Sequence, residues 1–236
     1  MLSTLTRQQF ISASKDLLEK RNPLSGGEEG DLTSSLYQGW VWREHSAYNH
    51  LGYLERLITL ADEPSNDATD AISEDEVTET LDISEAPSSL TVHRLIMQQY
   101  VVWSSSFQVP VFYFTMHDSG GAPVSLRRMY NTSFFRKSRH LAKLPEDLTS
   151  ALFPAASTND IDHEAPTPFP LLTQGDHPIL GTPCWYLHPC ESPAAVQEIM
   201  KEIIRDGLTA SDEHLMYLKT WFMVLSGIVD LRYDQG

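Results

Sequence analysis

The sequence predicts an α+β domain in which helices pack on one face of a four-stranded antiparallel meander sheet. Three observations carry this prediction. Segments with helical spacing of apolar residues open and close the chain, four apolar segments of strand length follow one another between them, and a short apolar segment runs into a helix start near residue 190. The chain has 236 residues, 41% of them hydrophobic, which is enough for one core, so we treat 1–236 as a single domain.

The first element is a helix over residues 5–21. Thr6 can accept hydrogen bonds from the first turn and so cap the N-terminus. Asn22-Pro23 ends the helix, because the residue before a proline is driven out of the helical region. The apolar stripe consists of Phe10, Ser14, Leu17 and Leu18.

Four strands are predicted next, over 40–43, 53–60, 91–104 and 107–116. In the third strand, successive side chains at 92–97 are expected to alternate between the two faces. The second segment also suits a helix, since Leu-Glu-Arg-Leu has helical spacing, and we prefer the strand. Pro110 has no N–H to give to a sheet, so we expect an edge strand or a kink at that residue. The glycine-rich sequence at 118–121 predicts the turn that follows.

Two insertions are predicted. Residues 61–89 hold ten Asp or Glu and no Lys or Arg, so we expect a disordered acidic insertion. We prefer a solvated spacer, and the alternative is a segment that attracts a basic partner surface. Residues 141–173 contain five prolines and little periodicity, so we expect a flexible Pro-rich insertion. The acidic segment carries most of the formal net charge of −15.

The remaining helices are predicted at 125–136 and 193–206, with a last one beginning after Ser211 or Asp212. A strand over 184–187 precedes the second of these helices, for which Ser192 is a plausible N-cap. Apolar residues of the last helix recur at heptad-like spacing: Leu215, Leu218, Phe222, Leu225 and Val229.

Composition excludes several classes of function. The net charge of −15 argues against nucleic acid and anionic membrane partners. No stretch approaches the roughly eighteen consecutive apolar residues of a membrane span, and the start lacks a secretory pattern. Two cysteines do not form a disulfide framework, so we expect a reducing, cytoplasmic setting.

The two cysteines, Cys184 and Cys190, lie close together in sequence. Cys190 follows His188-Pro189 between a strand and a helix start, where a thiol can be exposed and used. On position alone the alternative is a small buried hydrophobic residue, which is the usual place of a free cysteine. Cys184 is expected to face the core. With His177 and His188 the cysteines offer four metal-ligand types, but the spacing lacks the paired pattern of zinc sites, so we expect no metal. We expect no cofactor either, since no glycine pair is followed by the Lys-Ser/Thr of a phosphate loop.

A resemblance to a known family rests on four segments. His188-Pro189-Cys190 after an aromatic strand resembles the active-site triplet of the autophagic ubiquitin-conjugating-type enzymes, the autophagy-related protein three/ten family. Residues 107–114 are similar to its aromatic-Gln-x-Pro strand, and residues 121–130 to its following turn and helix. Tyr217-Leu218 with Trp221 and Ser226 resembles its C-terminal helix. The run HPILGTP at 177–183 favours the protein-ten branch, and the resemblance covers roughly residues 90–230.

This resemblance implies a ubiquitin-conjugating-enzyme-like fold and an acyltransferase. By it, Cys190 would accept autophagy-related protein twelve as a thioester from the E-one-type activating enzyme, protein seven. The chain would then pass this acyl group to a lysine of protein five. Thioester exchange between two thiols of ordinary pKa is near thermoneutral, so it requires no further activating ion pair.

The oxyanion-stabilising residue is not assigned by the resemblance. Conjugating enzymes proper carry a His-Pro-Asn triplet for that role, and this chain and the autophagic branch lack it. His188 is the first candidate for a supporting role, with a turn-forming or core histidine as the equal alternative. Phe107 and Tyr113 are candidate shaping groups for which we prefer core packing, and Asn131 is a more distant candidate.

Three other functions stay open. A conjugating enzyme like protein three would transfer its acyl group to a lipid amine. A cysteine hydrolase would pair Cys190 with a histidine and predict rapid alkylation at about pH 6, because an imidazolium lowers the thiol pKa. A non-catalytic adaptor would keep the fold and need no thiol at all.

Overall fold

The computed structural model describes residues 3–20, 34–61, 94–136, 172–190, 192–204 and 213–232. The acidic insertion apart from Ala61, and the Pro-rich insertion apart from Leu172 and Thr173, lie outside these ranges. Within them, no helix combines the length and apolar composition that a bilayer crossing requires.

The first helix, α1, spans Arg7–Lys20 and confirms the prediction. Thr6 and Gln9 form a reciprocal cap: the Thr6 hydroxyl accepts the Gln9 N–H at 3.3 Å, and the Gln9 side chain accepts the Thr6 N–H at 2.8 Å. The buried stripe consists of Phe10, Ala13, Ser14 and Leu17. A short 3₁₀ turn at Ser34–Tyr37 precedes the sheet.

A four-stranded antiparallel meander follows, as predicted. Its strands are β1 (Val41–His45), β2 (Tyr48–Ala61), β3 (Arg94–Trp103) and β4 (Pro110–Asp118). Alternate residues of β3 are buried near its start, with Leu95 and Met97 inside and Arg94 and Ile96 outside, as the alternation predicts.

The sheet has six strands, so the prediction of four is wrong. Strand β5 spans Leu172–Asp176 and β6 spans Pro183–Leu187, and the order across the sheet is β1-β2-β3-β4-β6-β5. We expected β6 but not β5, whose sequence Leu-Thr-Gln-Gly-Asp holds one large apolar residue and a glycine. The strand propensity of β5 is low, and its pairing with β6 over five residues stabilises it.

The expectation of an edge strand at Pro110 is also wrong. Strand β4 is interior, paired along its length with β3 and with β6 through Tyr113–Tyr186 and Phe114–Trp185. Pro110 is tolerated because it is the first residue of the strand, opposite Trp103. The bend lies two residues earlier, where Gln108 has a φ of 55°.

The helix predicted over 125–136 is shorter. Helix α2 spans Leu126–Asn131, and the Ser125 hydroxyl caps it by accepting the Arg128 N–H at 3.4 Å. The chain leaves the helix at Thr132, whose hydroxyl donates to the Met129 carbonyl at 2.6 Å. Phe134 then packs in the core, which explains why the apolar pattern continues beyond the helix.

Two longer helices complete the domain. They are α3 (Ser192–Ile204) and α4 (Glu213–Ser226), and α4 contacts both α1 and α3. The helices bury their apolar side chains in one large core cluster, together with side chains from one face of the sheet. We call this face of the sheet the inner face. Helices on one face confirm that part of the prediction, while the predicted caps Ser211 and Asp212 lie outside the described residues.

Arg56 ties the inner face together. Its side chain is 1% exposed, and its guanidinium donates to Gln99 Oε1 at 2.6 and 2.9 Å and to the carbonyls of Gln38 and Leu231 at 3.1 and 3.0 Å. The same group lies 4.6 Å from the Trp40 ring centroid. These contacts fix the C-terminal residues against β2 and β3.

The opposite, outer face carries a smaller cluster, which draws on no helix among the described residues. Three tyrosines, Tyr53, Tyr100 and Tyr113, form it with Val102, Val111 and Cys184. The turn between β5 and β6 packs on this cluster, since His177 lies against all three tyrosine rings at centroid distances of 4.7–5.7 Å.

Candidate active site

Cys190 lies in an exposed turn between β6 and α3. Strand β6 ends at Leu187, and Pro189 cannot donate a backbone hydrogen bond, so sheet pairing does not continue to the cysteine. The Ser192 hydroxyl donates to the Pro189 carbonyl at 3.0 Å and so joins the turn to the first residue of α3. The structure confirms that Cys190 is exposed and that it follows the end of a strand.

His188 shapes this turn. Its Nδ1 accepts the backbone N–H of Cys190 at 3.2 Å. A neutral imidazole that accepts through Nδ1 carries its proton on Nε2. The histidine lies beyond the end of β6, so it belongs to the turn and not to the strand. The turn-forming interpretation of His188 is the one that the hydrogen bond supports.

Phe107 packs on His188 from the loop between β3 and β4. The two rings meet edge to face at a centroid distance of 5.4 Å, and Phe107 is 43% exposed, so the preference for core packing is wrong here. The N-terminal segment anchors this loop, since the Leu5 N–H donates to the Gln108 carbonyl at 2.8 Å and Trp103 Nε1 donates to the Leu5 carbonyl at 2.6 Å. The sequence gives no signal for that long-range contact.

Tyr113 and Cys184 are buried in the outer-face cluster, as expected for core residues. Burial raises the pKa of Tyr113 to about 12 and that of the Cys184 thiol to about 11. The Cys184 sulfur lies 3.4 Å from the Gly175 carbonyl. Asn131 is the last residue of α2, and its role stays a prediction.

His177 stabilises the turn between β5 and β6. Its Nδ1 accepts the N–H groups of Ile179 and Leu180 at 3.2 and 3.0 Å, which closes the turn between β5 and β6. The side chain is 1% exposed, and burial lowers its pKa to about 4. The run HPILGTP is therefore a turn that covers the tyrosine cluster.

The four potential metal ligands fall into two pairs. His177 and Cys184 lie in the outer-face cluster, whereas His188 and Cys190 lie in the turn after β6. In the part of the chain that the structure describes, no three His, Cys, Asp or Glu side chains are placed to share a metal ion.

A groove of about 380 Å³ lies on the outer face, and Pro189, the residue before Cys190, is among the residues that line it. Val102, Val111 and Tyr186 of the outer-face cluster line it together with Phe107 and Ile179. A second cavity borders Pro189 on the side of α4 and has a volume of about 30 Å³. Pro189, which precedes Cys190, therefore borders one groove of ligand size and one space that holds about one water molecule.

The chain matches the family described as autophagocytosis associated protein, active-site domain, over residues 9–234. Three similar proteins are named ubiquitin-like-conjugating enzyme ATG10. The Dictyostelium discoideum protein is 28% identical over 144 residues, covering 58% of this chain and 52% of that protein. The Arabidopsis thaliana protein is 27% identical over 191 residues, which cover 77% of this chain and 72% of that protein. The Homo sapiens protein is 25% identical over 153 residues, which cover 64% of this chain and 57% of that protein. The matches with the first and third span little more than half of those relatives.

Proposed function

The chain belongs to the autophagocytosis associated protein, active-site domain family, and on that basis we propose that it is a ubiquitin-like-protein conjugating enzyme of autophagy that carries its partner as a thioester on Cys190. The observation that carries the proposal is the exposed position of Cys190 in the turn between β6 and α3, while the other cysteine is buried. A bulky acyl donor can reach the first thiol and not the second.

The first step is an exchange of thioesters. The Cys190 thiol loses its proton, its sulfur attacks the acyl carbon held on the activating enzyme, and the new carbon–sulfur bond forms. The cysteine of the activating enzyme leaves as a thiolate and takes up a proton, so the step is balanced without ATP. Such exchange is fastest for a thiol whose pKa lies near ambient pH.

The second step transfers the acyl group to an amine. A neutral lysine amine attacks the thioester carbonyl, the Cys190 thiolate leaves, and the amine nitrogen gives up a proton as the isopeptide bond forms. The N–H of Cys190 is already donated to His188, so it is a poor candidate donor to the oxyanion. We assign the supporting role to His188, because its Nε2 carries the proton and can donate.

The partners proposed are the E-one-type activating enzyme (protein seven), ubiquitin-like protein twelve and a lysine of target protein five, acting in the cytoplasm. The name ATG10 of all three relatives supports this branch over the one that modifies a lipid amine. The hydrogen bond from the Cys190 backbone to His188 Nδ1 argues against a hydrolase that uses this nitrogen as its general base, since the nitrogen already accepts a backbone N–H.

A loading assay tests the proposal. Purified chain is incubated with activating enzyme, ATP and the ubiquitin-like protein, and the product is separated with and without reductant. We expect a covalent adduct that reductant removes, and an adduct of Cys190→Ser that resists reductant because an oxyester replaces the thioester. Absence of any reducible adduct with the wild-type chain would refute the proposal.

A further inference from the structure

One peptide group in the turn between β6 and α3 is hydrogen-bonded at both of its edges. The N–H of Cys190 donates to His188 Nδ1 at 3.2 Å, and the carbonyl of Pro189 accepts the Ser192 hydroxyl at 3.0 Å. This carbonyl and this N–H belong to the same planar unit, the peptide that joins Pro189 to Cys190. The peptide is trans, so its C=O and N–H point in opposite directions and the two side chains bind opposite edges of one plane.

The two bonds restrict the backbone torsions that set the direction of the Cys190 side chain. The ring of Pro189 fixes the φ of that residue at about −65°. What remains is a rotation of the whole peptide plane, which changes the ψ of Pro189 and the φ of Cys190 in opposite senses. A single bond lets the plane tilt about that bond, whereas bonds at both edges hold it in one orientation. The position of the sulfur then depends only on the χ1 rotamer of Cys190.

Separate parts of the fold hold each of the two side chains that bind this peptide. The His188 ring packs edge to face on Phe107 at a centroid distance of 5.4 Å. Ser192 is the first residue of α3, and Val196 and Met200 of that helix are buried in the large core cluster. A hydroxyl has one proton, and that of Ser192 is used in this bond. The peptide is therefore joined to the β3–β4 loop through one edge and to α3 through the other.

We propose that Ser192 is a positioning residue for the acyl transfer at Cys190: together with His188 it fixes the peptide before the cysteine and so orients the sulfur toward the incoming acyl carbon. The inference rests on the proposed function, because a thiol that exchanges acyl groups between proteins has to meet each partner in one geometry. A displacement of about 1 Å at a reacting atom can cost about a hundredfold in rate. Ser192 acts through the Pro189 carbonyl and not on the sulfur itself.

Loss of the Ser192 hydroxyl should slow the reaction while the domain stays folded. The space of about 30 Å³ beside this turn is lined by His188, Pro189 and Ser192, among others, and holds about one water molecule. In Ser192→Ala a water molecule there can donate to the Pro189 carbonyl, so the carbonyl is not left without a partner. That water is not attached to α3, and the peptide therefore loses its fixed orientation.

Single-turnover loading from the charged activating enzyme tests the assignment. Ser192→Ala should lower the maximal rate about tenfold at an unchanged half-maximal concentration of the donor, and Ser192→Thr should restore most of the rate. Ser226→Ala is the matched control, since the Ser226 hydroxyl also donates to a carbonyl three residues back, that of Met223, at the end of α4. It should load like the wild type. Alkylation of Cys190 by iodoacetamide should be equal in all four chains, because a small reagent can approach the sulfur from many directions.

A double-mutant cycle shows whether the two side chains act on the same peptide. Since neither bond alone holds the plane, Ser192→Ala should slow loading by less than about threefold in a His188→Ala background, against about tenfold in the wild-type background. Equal slowing in both backgrounds would show that Ser192 acts independently of this peptide, which overturns the proposal. A Ser192→Ala chain that loads at the wild-type rate, or one in which only the half-maximal concentration changes, overturns it as well.

A measurement on the uncharged chain separates this inference from the proposed function. The NMR order parameter of the Cys190 amide should be about 0.85, as in rigid backbone, in the wild type and in Ser226→Ala, and it should fall in Ser192→Ala. A wild-type chain that loads, together with an equally ordered Cys190 amide in Ser192→Ala, refutes the positioning role alone. A wild-type chain that forms no reducible adduct refutes the proposed function, and the positioning role with it.

Discussion

Replacing His177 with Asn should make the stability of the protein less dependent on pH. His177 is buried against three tyrosine rings, and its Nδ1 accepts the Ile179 and Leu180 N–H groups. Protonation of the ring would put a charge among those rings and remove the acceptor. An Asn side chain does not titrate in this range, and its carbonyl can accept a backbone N–H two residues on.

The size of the effect follows from the pKa. Burial lowers the pKa of His177 from 6.5 to about 4, so the unfolded chain binds the proton more tightly than the folded chain. Stability from the neutral ring is fully present above the unfolded pKa and is lost as pH falls toward the folded pKa. A pH of about 5 is about 1.5 units below the pKa of 6.5 that the histidine has in the unfolded chain. The free energy of unfolding is therefore roughly 2 kcal/mol smaller at that pH than above the unfolded pKa.

Urea denaturation at about pH 7 and about pH 5 measures this effect. We expect the loss between the two pH values to be about 2 kcal/mol smaller for His177→Asn than for the wild type. At about pH 7 the variant should be less stable than the wild type, because its ring contacts with the tyrosines are gone. His45→Asn is the matched control for the same exchange outside the tyrosine cluster, since His45 Nδ1 accepts the N–H of Ala47, two residues on, at 3.1 Å. Equal losses between the two pH values in wild type and His177→Asn would refute the reasoning.

Three further predictions concern the turn, the inner face and the thiols. His188→Ala should lower the initial loading rate about tenfold by removing the acceptor of the Cys190 N–H, whereas His188→Asn should restore much of it; equal rates in both would contradict this. Arg56→Met should lower the free energy of unfolding by about 3 to 5 kcal/mol in urea titrations, because Gln99 and two backbone carbonyls lose their donor; a loss below about 1 kcal/mol would be inconsistent with it. In timed iodoacetamide labelling followed by mass spectrometry, Cys190 should react at least about a hundredfold faster than Cys184, whose burial raises its pKa to about 11; comparable rates would show that both thiols are accessible.

Local sequence patterns predict those features of the structure that depend on residues close together in the chain. The cap at Thr6, the alternation in β3 and the turn at 118–121 were all predicted from residues a few positions apart, and the structure confirms them. The exposed position of Cys190 also follows from a local pattern, a strand that stops at a proline before a helix start.

Features that depend on tertiary pairing were missed. Strand β5 is ordered by its partner β6 and not by its own composition, and Pro110 is tolerated in an interior strand because it stands first in it. The burial of His177 depends on tyrosines from β2, β3 and β4 that a single sequence does not place together. Phe107 was expected in the core because it is aromatic, yet the fold places it at the surface against His188.

The candidate site depends on both local and long-range contacts. The β3–β4 loop, anchored by Leu5, places Phe107 on His188, and His188 in turn holds the backbone of Cys190. The β5–β6 turn, closed by His177, contributes Ile179 to the groove that Phe107 and Pro189 also line. Two segments that are remote in sequence therefore meet beside the turn that carries Cys190.

Peptide mapping of the loaded chain tests the central claim most directly. The chain is charged with activating enzyme, ATP and the ubiquitin-like protein, digested under non-reducing conditions and analysed by mass spectrometry. We predict that the acyl group is found on Cys190, that Cys184→Ser loads at the wild-type rate, and that Cys190→Ser carries it as an oxyester at the same position. An adduct on Cys184, or undiminished reducible loading of Cys190→Ser, would contradict the account.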